Sequence, residues 1–167
     1  MQEVLGRKTV RQPDPLAGIV ALPRVFIDTN VLLDVLLMRM PLLHYSLHVW
    51  QMCELRQMQG VISAISLNNT YYVVRRLRSR AEADKAMSLL LDLFEVVPLG
   101  ADVLSAAAEN PGADFGDAVQ RESALKAGVS VIVTHDKAHY ADGLLEAVTP
   151  EELMLFWRDG FPRRLNA

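Results

Sequence analysis

The chain has 167 residues, 17 Lys+Arg against 20 Asp+Glu, a formal net charge of −3 and 51% apolar residues. That is the length of one domain with enough apolar content for a core, which excludes wholesale disorder. The single cysteine, Cys53, excludes a disulfide scaffold and makes a reducing, cytoplasmic setting the default; the mild acidity excludes holding nucleic acid by bulk charge alone.

No apolar run reaches the roughly 18–20 residues that span a bilayer, so no membrane helix is expected, and the start of the chain carries no signal-peptide pattern. Residues 1–23 read as an arm or flexible tail, because Gln12-Pro13-Asp14-Pro15 breaks any helix. The folded domain is expected over 24–160, with 161–167 as a C-terminal tail. Val25-Phe26-Ile27 is a short apolar run ending at Asp28, the pattern of a strand buried on both faces. Thr29 and Asn30 are candidate caps for a helix whose apolar face holds Val31, Leu32, Val35 and Leu36. A second helix is expected from Leu42 to Gln59, stopped by Gly60, then a strand over Val61–Ser63. Ser66 is the expected cap of a third helix ending in Arg75–Arg80, and Ala81–Leu93 reads as a fourth. Glu95–Val97 is a strand, Ala101–Glu109 a helix, and Asn110-Pro111-Gly112 a break. Asp114–Ala127 is a helix closed by Gly128 as a left-handed cap, followed by a strand over Ser130–Val133. Thr149, Pro150 and Glu152 form a capping-box start for a last helix. Strands alternating with amphipathic helices predict a three-layer α/β/α sandwich around a mainly parallel sheet of four to five strands.

In such sheets, sites form beyond the carboxyl ends of the strands. Asp28 ends the first strand, and Thr134-His135-Asp136 follows the last apolar one. Helix capping is the plainer reading of either Asp taken alone. Asp114 and Asp117 are three apart and share a helix face, where ordinary acidity at a helix start is again the plainer reading. Taken together, carboxylates converging on one sheet edge repel unless a cation neutralises them, and hard oxygen donors suit Mg²⁺ or Mn²⁺. Such ions activate water and stabilise a phosphodiester under attack.

The segments Ile27-Asp28-Thr29-Asn30-Val31-Leu32-Leu33-Asp34, Ser63-Ala64-Ile65-Ser66-Leu67, Asp114-Phe115-Gly116-Asp117-Ala118, Val133-Thr134-His135-Asp136 and Val148-Thr149-Pro150-Glu151-Glu152-Leu153 resemble, in order and spacing, a PIN domain. The closest resemblance is to the VapC-like toxins of toxin–antitoxin pairs, over roughly Arg24 to Trp157. The resemblance implies a Mg²⁺- or Mn²⁺-dependent ribonuclease cleaving single-stranded RNA, a small antitoxin partner and a homodimer built with helices of the first 80 residues. It also implies that Asp28, Asp117 and Asp136 are the catalytic metal ligands, with Asp114 an extra ligand and Thr29, Asn30 and Thr134 in support. There is one departure. Where the family carries a Glu on the helix after the second strand, this chain has Asn69, or Asn68 with a one-residue slip. Asn keeps an oxygen and loses the charge. A PIN-like module that binds RNA or a partner without cleaving is therefore the alternative. A receiver-like or nucleotide-binding domain is disfavoured, since no Gly-rich phosphate loop is present.

Arg75, Arg76, Arg78 and Arg80 crowd one helix end. They suit the negative pole of the helix, or form a phosphate clamp beside the acids with Tyr71 or Tyr72 stacking on a base, although a core or interface position is the plainer reading of either tyrosine. His44 and His48 lack a third donor nearby and read as surface or interface residues. His135 and His139 flank Asp136, and Cys53 reads as a buried thiol.

Overall fold

A computed structural model describes residues 22–112 and 114–158. The expected arm falls almost wholly outside the described residues, and the expected tail lies entirely outside them. The sheet has five strands: β1 (Arg24–Ile27), β2 (Gln59–Ser63), β3 (Glu95–Val97), β4 (Val131–Val133) and β5 (Glu146–Val148). Their order is β3-β2-β1-β4-β5 and every pairing is parallel. The helices are α1 (Thr29–Leu37), α2 (Leu43–Glu54), α3 (Ala64–Leu77), α4 (Arg80–Leu93), α5 (Ala101–Glu109), α6 (Phe115–Lys126) and α7 (Pro150–Arg158).

Strand side chains alternate between two cores. Val25, Ile27, Ile62, Val131 and Val133 pack with α1, α2, α4 and α7 through Leu32, Trp50, Leu90 and Leu153. Phe26, Val61 and Ile132 face the other way, against Ala124 of α6 and Tyr140. Both faces of each central strand are covered, which is why these strands read as continuous apolar runs. At the amino end of β1, Arg24 makes a bidentate pair with Glu95 at 2.6 and 2.8 Å and donates to the Ala127 carbonyl at 2.9 Å. That leaves the carboxyl end as the open edge.

Four local expectations are corrected. Asp28, in extended backbone, is the N-cap of α1, accepting from the Asn30 N–H; Thr29 and Asn30 already lie inside the helix. Likewise Ser63, not Ser66, caps α3, because the chain turns from strand to helix without a loop. The second helix ends at Glu54 rather than at Gly60, and Arg56 takes the left-handed turn (φ 53°). Gly60 lies inside β2 instead, where a Cβ would stand 2.6 Å from the Phe94 ring and 2.9 Å from Cys53 Sγ. Finally, the short strand β5 went unread as an element. Asp114, by contrast, caps α6 by accepting from the Asp117 N–H at 3.2 Å, and Gly128 takes positive φ (67°) as expected.

A candidate acidic site at the switch point of the sheet

From β1 the chain winds outward to β2 and β3, then returns on the other side of β1 as β4. The strand order therefore reverses between β1 and β4, where a parallel sheet opens a crevice beyond its strand ends. Asp28 and Thr134 sit at this point, and the Asp28 N–H donates to the Val133 carbonyl at 3.0 Å.

Asp28 is 2% exposed. A buried carboxylate needs donors, and it has three. Thr134 Oγ1 donates to Oδ2 at 2.7 Å, while Gln120 Nε2 and the Asn30 N–H donate to Oδ1 at 3.2 and 3.4 Å. Gln120 is the hub. Its Oε1 accepts from the Thr29 N–H and Thr29 Oγ1, both at 3.1 Å, and from Ser66 Oγ at 3.3 Å. Its Nε2 also lies 3.5 Å from Asp117 Oδ1. One amide thus ties β1, α1, α3 and α6 together and brings the Asp28 and Asp117 carboxylates within its own reach.

Asp117 is about half-buried. Burial, and then the charge of Asp28, push its carboxyl above the ordinary range, and His139 opposes the shift. The His139 ring spans two acids. Its Nδ1 pairs with Asp117 Oδ2, and its Nε2 lies 3.2 Å from Asp136 Oδ2. Asp136 is held from behind, its N–H donating to Thr134 Oγ1 at 3.0 Å. The result is a continuous chain from Asp28 through Gln120, Asp117 and His139 to Asp136. Asp114 stands at its edge, spending one oxygen on the α6 cap.

Asn69 lies exposed on α3, one turn past Ser66, and among the described residues its side chain makes no hydrogen bond. Of the arginines, Arg78 is engaged, donating to the Leu37 carbonyl at 3.0 Å, while Arg75 and Arg76 are exposed on the last turn of α3. His135, next to Asp136, pairs with the buried Asp34, which also accepts from Ser46 Oγ at 2.9 Å. Gln120 and His139 were missed as members of the acidic site. Each is three residues past a predicted acid, Asp117 and Asp136, a separation that places both on the same helical or turn face.

Among the described residues, no three His, Cys, Asp or Glu side chains close around a common point as a metal cage. The donor chemistry nonetheless fits a hard cation. Two carboxylates share one amide, and the charge of one raises the pKa of the other. Close by, the Tyr140 hydroxyl is buried with no hydrogen-bond partner. Burial, then the charges of Asp28 and Asp117, push its pKa up, so it stays a protonated, unspent donor.

The chain as a whole is similar to known proteins. Ribonuclease VapC1 of Aquifex aeolicus is 26% identical over 139 residues, spanning 80% of this chain and 95% of that protein. Among solved structures, VapC20 of Mycobacterium tuberculosis, described as a sarcin-ricin loop cleaving toxin, superposes with a TM-score of 0.62 at 19% identity, over 73% of this chain and 97% of that one. VapBC2 of Rickettsia felis, bound to a DNA fragment from its promoter, gives 0.57 at 15% identity, over 75% and 98%. PAE2754 of Pyrobaculum aerophilum gives 0.53 at 23% identity, over 82% and 90%. These likenesses extend to the fold. The sequence profile of the PIN domain matches residues 24–138, from the first residue of β1 to just past Asp136, and the chain belongs to the PIN domain family.

Proposed function

We propose that this chain is a Mg²⁺- or Mn²⁺-dependent endoribonuclease that cleaves single-stranded RNA in the cytoplasm, as the toxin of a toxin–antitoxin pair. The observation that carries the reading is the convergence of Asp28 and Asp117 on the Gln120 amide at the switch point, with Asp136 linked through His139. Similarity to a ribonuclease of this family supports the choice of chemistry. Asp28, Asp117 and Asp136 would hold the cation, with Asp114 at the edge of the set. When bound, the cation would supply an activated water and neutralise charge on the attacked phosphodiester. The protein's own part is positioning. Thr134, Gln120 and the Asn30 N–H fix the Asp28 carboxylate, and burial keeps bulk water from its inner face. His139 holds Asp117 and Asp136 side by side. No helix among the described residues is long and apolar enough to cross a membrane. Further partners in this reading are a small antitoxin and a second copy of the chain. The copy would dock on the exposed Met38, Met40 and Leu42 around the α1–α2 connection.

The second reading, an RNA-binding module without cleavage, is favoured by one observation: Asn69 offers no charge where the family has a Glu. The deciding experiment is cleavage of several single-stranded RNAs with Mg²⁺ or Mn²⁺. We expect cleavage by the wild type, at least a hundredfold loss in Asp28→Asn with the fold intact by circular dichroism, and faster cleavage in Asn69→Glu. No cleavage by the wild type, with none gained in Asn69→Glu, selects the second reading.

A further inference from the structure

The helix α3 starts at the acidic site and runs away from it. Ser63 caps it at the end of β2, and Ser66 on its first turn bonds Thr29 and Gln120. Ser66, Thr70 and Val74 form its buried side, at i, i+4 and i+8. The opposite side carries Asn68, Asn69, Tyr72, Arg75 and Arg76, all exposed. Tyr72 lies at the centre of that face and is 66% exposed. From Asn69 to Arg76 the face extends about 10 Å along the axis, at 1.5 Å per residue.

The dipole of the helix accounts for two cations on its last turn. It does not account for a bare aromatic ring between them and the acidic site. Among the described residues Arg75 and Arg76 make no ion pair, although the nearby Arg78 and Arg80 are taken up by the Leu37 carbonyl and by Asp84. Asp84 of α4 also accepts from the Tyr71 hydroxyl at 3.2 Å, and the outward face of α3 holds no acid of its own. In a chain of net charge −3, this is a local basic strip. Protein interfaces deplete charge at their centre and gather apolar side chains. Here a single ring stands among amides and guanidinium groups, the composition that suits an unpaired nucleotide: a π-face for the base and bidentate donors for phosphate.

We propose that the outward face of α3 is a binding track for single-stranded RNA, with one base stacked on Tyr72 and the adjoining phosphates held by Arg75 and Arg76. The track rests on the reading of this chain as a protein that acts on RNA. It delivers the strand past Asn69 to the acidic crevice, so the bond to be cut is selected by its distance from the stacked base. A duplex cannot offer that base, which gives the preference for unpaired RNA a structural source.

The test is fluorescence anisotropy of the full chain with a fluorescein-labelled single-stranded RNA of mixed sequence, in EDTA, so that binding is read without cleavage. Tyr72→Ala should weaken binding fivefold or more, since stacking contributes on the order of 1–3 kcal/mol per base. Tyr72→Phe keeps the ring and should stay within about twofold of the wild type. Arg75→Gln/Arg76→Gln should lower the slope of log affinity against log salt by roughly 1.4, the value for two phosphates on a single strand. All of these positions are exposed, and circular dichroism checks the fold of each variant. Unchanged affinity in Tyr72→Ala overturns the track. So does equal loss in Tyr72→Ala and Tyr72→Phe, or a variant that turns a dimer into a monomer by light scattering with RNA affinity unchanged, which marks the face as a protein interface. The nuclease reading is scored separately. If RNA binds as described and no metal supports cleavage, the track stands and the nuclease reading falls. If the wild type neither binds nor cleaves RNA, both fall.

Discussion

Gln120 makes the acidic site possible, and its cost of removal can be stated. It is 5% exposed and serves Thr29, Ser66, Asp28 and Asp117 with one amide. Leu has nearly the same volume, so Gln120→Leu leaves little cavity but strands the Thr29 N–H and removes a donor from the Asp28 carboxylate. Leaving buried polar groups unpaired costs about 1–3 kcal/mol. We expect Gln120→Leu to lower the free energy of unfolding by that amount in urea titration; an unchanged midpoint would show the amide to be dispensable. At this scale the sequence was partly legible. The carboxylates were found because each ends a strand or starts a helix, and strand ends are where sites lie. Gln120 and His139 were not, because a neutral amide and an imidazole carry no such signature until the third dimension shows what they bridge. Asp28 shows the converse: taken alone, capping was its plainer reading, and the side chain does cap α1. Cys53 was read as a buried thiol and is one, with burial pushing its pKa up to about 12.

At the scale of elements, α7 is fastened by a closed set of bonds. Thr149 Oγ1 accepts from the Glu152 N–H at 3.1 Å, and Glu152 Oε2 accepts from the Thr149 N–H at 2.8 Å. The other face of the Glu152 carboxylate takes the Lys137 ammonium at 2.9 Å, which ties α7 to the short helical turn Lys137–Tyr140 behind Asp136. The Thr149 N–H, then Lys137, hold the Glu152 carboxyl below its ordinary value of 4.5. A carboxylate whose pKa falls on folding stabilises the fold above its unfolded pKa and loses that contribution as pH drops through the folded one. Glu152→Gln should therefore destabilise the protein at pH 7 and have progressively less effect below pH 4.5. The carboxylate is more than a third exposed, so the cost at pH 7 is discounted to below about 1 kcal/mol. Thermal melts of both proteins across that range check it; a gap that widens in acid would reverse the assignment. This capping box was legible in advance because Thr-x-x-Glu spacing is local. The start of α3 was misplaced because Ser63 and Ser66 are both good caps, and only the abrupt strand-to-helix turn decides between them. The strand β5 escaped because its three residues carry one fully buried side chain, Val148, too little for a periodic signal. It pairs with β4 at the sheet edge, where the register is supplied by tertiary structure.

Across the whole molecule, charge is distributed unevenly. The carboxylates of Asp28, Asp114, Asp117 and Asp136 gather beyond the carboxyl edge of the sheet, while Arg75 and Arg76 lie at the far end of α3. At this edge burial, and then repulsion from the Asp28 charge, raise the pKa of Asp117. Anything that binds the folded state alone stabilises it by mass action, and a divalent cation at this edge has no preformed site in the unfolded chain. At tenfold excess over its dissociation constant, such an ion adds about 1.4 kcal/mol. For a domain of this size that raises the melting temperature by roughly 3–6 °C. Because Asn69 contributes no charge, the rise should need millimolar Mn²⁺ or Mg²⁺ rather than micromolar. Asp28→Asn and Asp117→Asn should abolish it, and Asn69→Glu should bring it to lower concentration. Monovalent salt at equal ionic strength screens the same repulsion without coordinating, so it serves as the control. A melting temperature that responds identically to both salts, in the wild type and in Asn69→Glu, would mean that screening alone relieves this edge and that its carboxylates do not gather a cation.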